Sequence, residues 1–466
     1  MSELLIGWSS RDVTPSRSTA LRGQFHVRIS THANDPITAT ALAIEGKEAG
    51  KPGDQAILVS CDRVAVDDVI LDGVRERSRG RLRGFDPRKL VINATHTHEA
   101  PVVQEGQFPP QGPEVMSPAE YAEFLIESAS EAVVEAWEKR QPGAISWAYG
   151  HAVVGHNRRI CYSDGVAKMY GKTDDPEFEC VEGYEDHGVD LLFTWDPARW
   201  LTGMVVNLAC PSQEDENADY ISADFWHETR VELRKRFGED LFVLPQCAAA
   251  GDQSPHLLLH KKAEQAMQKR MGLTARQDIG LRIADAAARV LEGARADIRA
   301  DVPFRHVVES LDLPARRVTE EEYREAKARR EEVERTAPGD ARAASIRFTR
   351  LDWYGRALAR YEEQQKSANP VHPVELHVLR LGDVAMATNP FELFLDYGLR
   401  MKARSRALQT FIVQLAGNGT YLPTARAVKG RSYGAEPMSN AVGPEGGQVL
   451  VNRTVELINS LYPAPA

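Results

Sequence analysis

The feature that most constrains this chain is the alternation, over its first 260 residues, of short apolar runs with segments of helical periodicity. Strand-like runs recur at 37–45, 55–62, 90–94, 144–150, 189–195, 204–209 and 241–245. The segments between them suit helices and turns, the pattern of an α/β or mixed α+β core with mixed sheets flanked by helices. The clearest helix begins at "SPAE", where Ser117 caps, Pro118 takes the first helical position and Glu120 closes a capping box; Tyr121, Phe124, Leu125, Ser128, Ala132 and Ala136 then follow at helical spacing. From about 260 to 365 the texture becomes charged and alanine-rich, with a second capping box at Thr319 and Glu322, and reads as a helical insertion with a solvated face. After it the strand pattern returns in "VELHVLRLGDVAMATNP", which turns at Gly382-Asp383, and the chain closes with an amphipathic helix, "GGQVLVNRTVELINSLY". No repeat or low-complexity linker divides it, so one domain over 1–466 is expected, elaborated by the 260–365 insertion.

The remaining global properties exclude more than they define. At 466 residues and 42% hydrophobic the chain can bury a large core, and a net charge of -10 with interspersed signs gives no reason to expect nucleic acid or stable membrane association. The first residues, "MSELLIGWSSRDVTPS", lack a basic segment followed by an apolar one, and no apolar run reaches the length of a spanning helix. Five widely spaced cysteines fit reduced thiols better than a disulfide framework. A cytoplasmic protein acting on a small molecule is expected.

Chemistry-bearing residues follow the apolar runs, where functional groups commonly sit in α/β folds. In "LVINATHTHEAP", His96 and His98 stand two apart after a strand, a spacing that on a continued strand turns both to one face and suits a divalent metal. "VVNLACPSQ" places Cys210 before a proline. "VLPQCAAAGDQSPH" turns at Gly251 and exposes Asp252, Ser254 and His256. "TNPFELFLDYG" sets Glu392 in what reads as a first helical turn, and "NGTYLPTARAVKGRSYG" offers Tyr421 and Tyr433. Each alone also suits a bland role: a buried thiol, a turn serine, a carboxylate near a helix dipole, half-buried tyrosines.

Taken in order, "GWSSRDVTPS", "ILVSCDRV", "NATHTHEAP", "GHNRR", "GDQSP", "NPFELF" and "YLPT...GRSY" resemble the neutral, non-lysosomal ceramidases and their bacterial relatives, over the catalytic domain. That resemblance implies one zinc ion held by His96, Glu392 and Tyr421, with His98 as the catalytic histidine, Arg158 and Tyr433 contacting substrate, and Ser254 in the active site. Where relatives carry a histidine before proline as the fourth ligand, this chain has Cys210-Pro211. A thiolate is a good zinc ligand, so Cys210 is one candidate for that place; His98, Asp224, His227 and Asp252 are substitutes. Asp224 and His227, three apart at a helix start, would share a face.

The resemblance implies a metal-dependent hydrolase of an amide or ester bond, in which a divalent cation polarises the carbonyl and activates water. His98 would carry the proton to the leaving amine, and Arg158 and Tyr433 would hydrogen-bond the developing oxyanion. Ser254 reads either as a covalent nucleophile or as a positioned hydroxyl, and the absence of a G-x-S-x-G elbow favours the second. The sequence shows neither the immunoglobulin-like C-terminal domain of true ceramidases nor an obvious acyl-chain tunnel. The expected substrate is therefore smaller and more polar than ceramide; a carbohydrate-derived substrate, or a non-catalytic ligand-binding role, is the alternative.

Overall fold

A computed structural model describes residues 2–48 and 51–463. The expected strands form, most of them longer by a few residues at one or both ends, in one eight-stranded mixed sheet. Its order is Phe242–Cys247, Leu201–Leu208, Gly188–Trp195, Gln141–His151, Ser2–Asp12, Thr38–Glu48, Lys51–Cys61 and Leu90–Ala94. The two edge pairs are parallel and the interior pairs antiparallel. The sheet curls until its edges meet: the Asn93 side-chain amide, on one edge strand, donates to the Pro245 carbonyl on the other at 3.2 Å.

Alternation along the strands assigns the two faces. On Thr38–Glu48 the small residues Ala39, Ala41 and Ala43 pack on one side and Leu42 and Ile44 on the other. The alanine face lets the helix Pro118–Glu138 lie close, and helices Asp68–Ser78, Phe225–Phe237 and Ala275–Arg295 share that layer. The opposite face packs on a second sheet ordered Phe304–Pro314, Val371–Leu381, Val384–Thr388 and Gln409–Val413, with Leu379, Leu381, Met386, Phe411 and Val413 at the junction. The outer face of the second sheet is covered by helices Leu395–Arg404 and Pro444–Ser460. The protein is thus mixed α+β, two sheets face to face between helical layers.

Both capping boxes are made as expected, at Ser117 with Glu120 and at Thr319 with Glu322. The two-residue turn at Gly382-Asp383 joins Val371–Leu381 to Val384–Thr388, with Leu381 opposite Val384. The segment 260–365 differs from its helical reading. Phe304–Pro314 within it is a strand of the second sheet, paired along its length with Val371–Leu381, and Ala275–Arg295 belongs to the main helical layer. Helices Glu320–Arg335 and Ala341–Glu363 pack on each other. Among the described residues no helix is long and apolar enough to cross a membrane.

Candidate active site

Five strands deliver their carboxyl ends to one place. Leu90–Ala94 leads to His96, Leu201–Leu208 to Cys210, Phe242–Cys247 to Ser254, Val384–Thr388 to Glu392 and Gln409–Val413 to Tyr421. Backbone hydrogen bonds tie the loops together: Ala94 N–H donates to Leu415 O (3.2 Å), Ser212 N–H to Thr95 O (3.2 Å), and Gln414 N–H to Cys247 O (3.0 Å). The buried Gln414 amide oxygen accepts from both Ala250 N–H (3.0 Å) and Leu393 N–H (2.9 Å), joining the serine turn to the Glu392 strand. Those two segments touch so closely that a Cβ on Gly251 would lie 2.3 Å from the Glu392 carbonyl oxygen, which is why glycine stands there.

The two histidines do converge, though not from a continued strand. The strand stops at Ala94 and His96 has a left-handed φ of 70°, so the rings meet through a turn, with their Nε2 atoms 3.4 Å apart. His96 Nδ1–H donates to the Val64 carbonyl at 2.7 Å, which leaves the lone pair on Nε2. Glu392 Oε2 lies 3.4 Å from that nitrogen. Burial lowers the pKa of His96, although Glu392 opposes the shift; burial, then His96, Arg28 and Arg158, hold His98 well below its ordinary value. Both rings are therefore neutral near pH 7. His98 Nδ1 is buried without a hydrogen-bond partner, 3.8 Å from Glu216.

Glu392 is not in a helical turn. It sits in a two-residue strand, Glu392–Leu393, paired in parallel with Tyr421–Leu422, and the helix begins only at Leu395. That register sets Tyr421 opposite Glu392; burial first and then the Glu392 charge raise the Tyr421 pKa well above its usual value. Tyr433 packs on Tyr421 with ring centres 5.5 Å apart, and burial pushes its hydroxyl up to about 12.

Arg158 is the hub on the other side. Nη2 donates to the Gly251 carbonyl (3.0 Å) and the Tyr421 hydroxyl (3.3 Å), and Nη1 to the Tyr170 hydroxyl (3.2 Å). Burial opposes its charge, but Tyr170, Tyr421 and Glu392 more than offset this and keep it protonated. The hydrogen bonds around Tyr170 fix proton positions. Its oxygen accepts from Arg158 and from Gln213 Nε2 (2.5 Å), so its own hydrogen goes to Ser254 Oγ at 3.2 Å. Ser254 Oγ also accepts from His256 N–H at 3.1 Å. With two donors on its lone pairs, the serine hydroxyl has its own hydrogen left to give.

Cys210 lies fully buried at its strand end; its sulfur bonds to the Pro211 carbonyl (3.4 Å), and burial, then Cys247, raise the thiol pKa well above the ordinary value. The substitutes near it are engaged elsewhere. Asp224 caps the helix Phe225–Phe237, accepting from Phe225 N–H (2.7 Å) and Asp215 N–H (2.9 Å). His227 Nδ1 lies 4.0 Å from Asp35, and Asp252 accepts from Leu395 N–H and the Asn157 amide, both at 2.9 Å. Among the described residues no three His, Cys, Asp or Glu side chains gather as a group that could hold a metal ion. What does converge is His96 Nε2 and Glu392 Oε2, two acceptors facing each other, with the Tyr421 hydroxyl beside them.

Residues outside the expected set complete the walls: Tyr170, Gln213, Glu216 and Gln414. Glu216 and Gln213 lie in the polar run "PSQEDENADY" directly after Cys210, a run whose acidity after a strand end was a readable signal; Tyr170, in the short "KMYGK", carried none. A roof comes from elsewhere. Phe25 stacks edge-on to Trp353 (5.4 Å) and Tyr433 (5.8 Å), and Thr349, on the helix Ala341–Glu363, donates to the Phe25 carbonyl at 2.6 Å.

This arrangement of two packed sheets, with the polar loops gathered at strand ends, is the fold of neutral ceramidase. The solved structure of neutral ceramidase from Pseudomonas aeruginosa superposes with a TM-score of 0.73 at 16% identity, covering 100% of this chain and 77% of that one. A ceramidase complexed with C2 gives a TM-score of 0.70 at 13% identity, covering 100% of this chain and 78% of that chain. No protein-family model and no curated protein matches the sequence. The resemblance seen in the ordered motifs therefore holds at the level of the fold.

Proposed function

We propose that this protein hydrolyses an amide, or the corresponding ester, of a small and polar substrate, in the manner of a ceramidase and with one divalent metal, zinc. The observation that carries this reading is the facing pair His96 Nε2 and Glu392 Oε2, 3.4 Å apart, beside Tyr421 and Arg158. A buried imidazole lone pair facing a half-buried carboxylate suits a cation. His96, Glu392 and Tyr421 would hold it; Cys210, packed against the Pro211 carbonyl and not gathered with them here, would have to turn its sulfur to become the fourth ligand. A metal there would supply Lewis acidity and lower the pKa of water towards 7.

The chain's own residues supply the rest. Arg158 and Tyr433 donate to the oxygen that gains charge in acyl transfer. His98, neutral and with Nδ1 unpartnered, carries the proton to the leaving amine. Ser254 adds a third donor, since its lone pairs are taken by Tyr170 and His256 and its own hydrogen is left to give. The polar walls, Gln213, Glu216 and His256, favour a polar substrate over a long acyl chain.

The test is metal content by atomic absorption and turnover of a panel of N-acyl amides and aryl esters before and after chelation. Stoichiometric zinc and a chelator-sensitive amidase are expected; a metal-free protein that turns over none of the panel would remove the reading and favour a non-catalytic binder. Cys210→Ser is expected to weaken zinc binding sharply and His98→Ala to spare it. The reverse pattern would put both histidines on the metal and leave the thiol packed against Pro211.

Ser254→Ala removes the neutral hydrogen bond from Tyr170 and should lower kcat by roughly tenfold, about 1–1.5 kcal/mol, whereas Tyr170→Phe also strips the Arg158 guanidinium of an acceptor and should cost more; the double variant should be little worse than Tyr170→Phe alone. A nucleophile would behave differently. Complete loss in Ser254→Ala, together with labelling of Ser254 by a fluorophosphonate, would make the serine covalent.

A further inference from the structure

Three of the five cysteines, Cys61, Cys210 and Cys247, are buried, while Cys161 is half-buried and Cys180 exposed. The last two stand directly opposite each other on antiparallel strands Arg159–Tyr162 and Phe178–Val181, next to a bulge. Opposed residues of an antiparallel pair have Cα atoms about 4.5–5.5 Å apart, inside the range that a disulfide spans. Nineteen positions apart in sequence, the two cysteines gave no motif to read.

We propose that Cys161 and Cys180 form a thiol–disulfide exchange site that closes on reaction with a low-molecular-weight disulfide. The exposed Cys180 is the entry thiol: its thiolate attacks the external disulfide, forms a mixed disulfide and expels one thiolate. Cys161 then loses its proton and attacks the Cys180 sulfur, expelling the second. Two protein thiols are oxidised, one external disulfide is reduced to two thiols, and no other oxidant enters. Burial, Cys180 and Glu182 push Cys161 up to about 11, which suits it to resolve rather than to initiate.

The position gives the bridge a consequence. Arg159–Tyr162 follows Arg158 directly, and its other partner strand, Ala167–Met169, leads straight to Tyr170. The bridge would therefore staple the small sheet flanked by Arg158 and Tyr170, of which Tyr170 donates to Ser254, and shorten the excursions of the loop between 170 and 178.

The test uses the whole native protein incubated with oxidised glutathione. Intact mass should fall by two hydrogens, the peptides carrying Cys161 and Cys180 should be recovered cross-linked, and the unfolding midpoint should rise and return on reduction. Cys161→Ser should instead accumulate one glutathione on Cys180, and Cys180→Ser should show neither change. An unchanged wild-type mass, or a wild-type protein that stops at the glutathione adduct, would overturn the proposal. These readouts need no substrate, so they stand apart from the test of hydrolase activity.

Discussion

Arg158→Ala should leave zinc content unchanged and lower turnover on the order of a hundredfold to a thousandfold, about 3–4 kcal/mol of barrier. The guanidinium reaches Tyr421 and Tyr170 at 3.3 and 3.2 Å and so stands between the residues proposed to hold metal and those proposed to orient Ser254. Its charge is held in place without an ion pair to quench it: the hydrogen bonds it makes are to two hydroxyls and a carbonyl. A buried cation with no carboxylate hydrogen-bonded to it can turn its charge to a developing oxyanion. Loss of metal in this variant, measured by atomic absorption, would show that Arg158 shapes the ligand set instead.

Its neighbour should behave in the opposite way. Arg159 is fully buried, pairs with Glu182 at 2.6 Å, and donates to the carbonyls of Ala427 (3.2 Å), Arg431 (2.7 Å) and Tyr433 (3.2 Å). Breaking a buried pair from one side strands the other charge, so Arg159→Met should cost about 3–5 kcal/mol in urea unfolding. Arg159→Met combined with Glu182→Met should recover much of that loss, because no charge is left unpaired. If the double variant were no better than the single, the carbonyl bonds rather than the ion pair would be what matters. Both variants should also lower turnover, since the Tyr433 loop hangs on Arg159.

These two arginines mark the limit of what was legible in the sequence. The "HNRR" motif pointed to Arg158 through family resemblance, and nothing in the residues themselves separated it from Arg159, because both are charged, adjacent and buried. The central strands were readable because alternation survives burial on both faces: small residues toward one layer and large toward the other in Thr38–Glu48. Phe304–Pro314 was not. It lies between charged helices and its residues are mostly half-exposed or exposed, so its sequence, "FRHVVESLDLP", carries no strong period. Glu392 was placed in the right loop but on the wrong element, since a two-residue strand is defined by its partner Tyr421 and not by any local signal. Gln414 and Tyr170 act through hydrogen bonds to segments distant in sequence, a kind of contact that single-chain patterning does not encode.

The contact of Gly251 with the Glu392 carbonyl bears on how this fold diversifies. Because the serine turn and the carboxylate strand share one van der Waals boundary, they vary as a single part: any side chain introduced at 251 displaces the carboxylate and the Ser254 hydroxyl together. The roof is a separate part. Phe25 and Trp353 meet the site through Tyr433, and they come from a loop and a helix outside the strand ends that carry the chemistry. Laboratory selection for new substrates should therefore accumulate changes on the roof and leave the turn untouched, so that recognition evolves while the reacting groups stay in register.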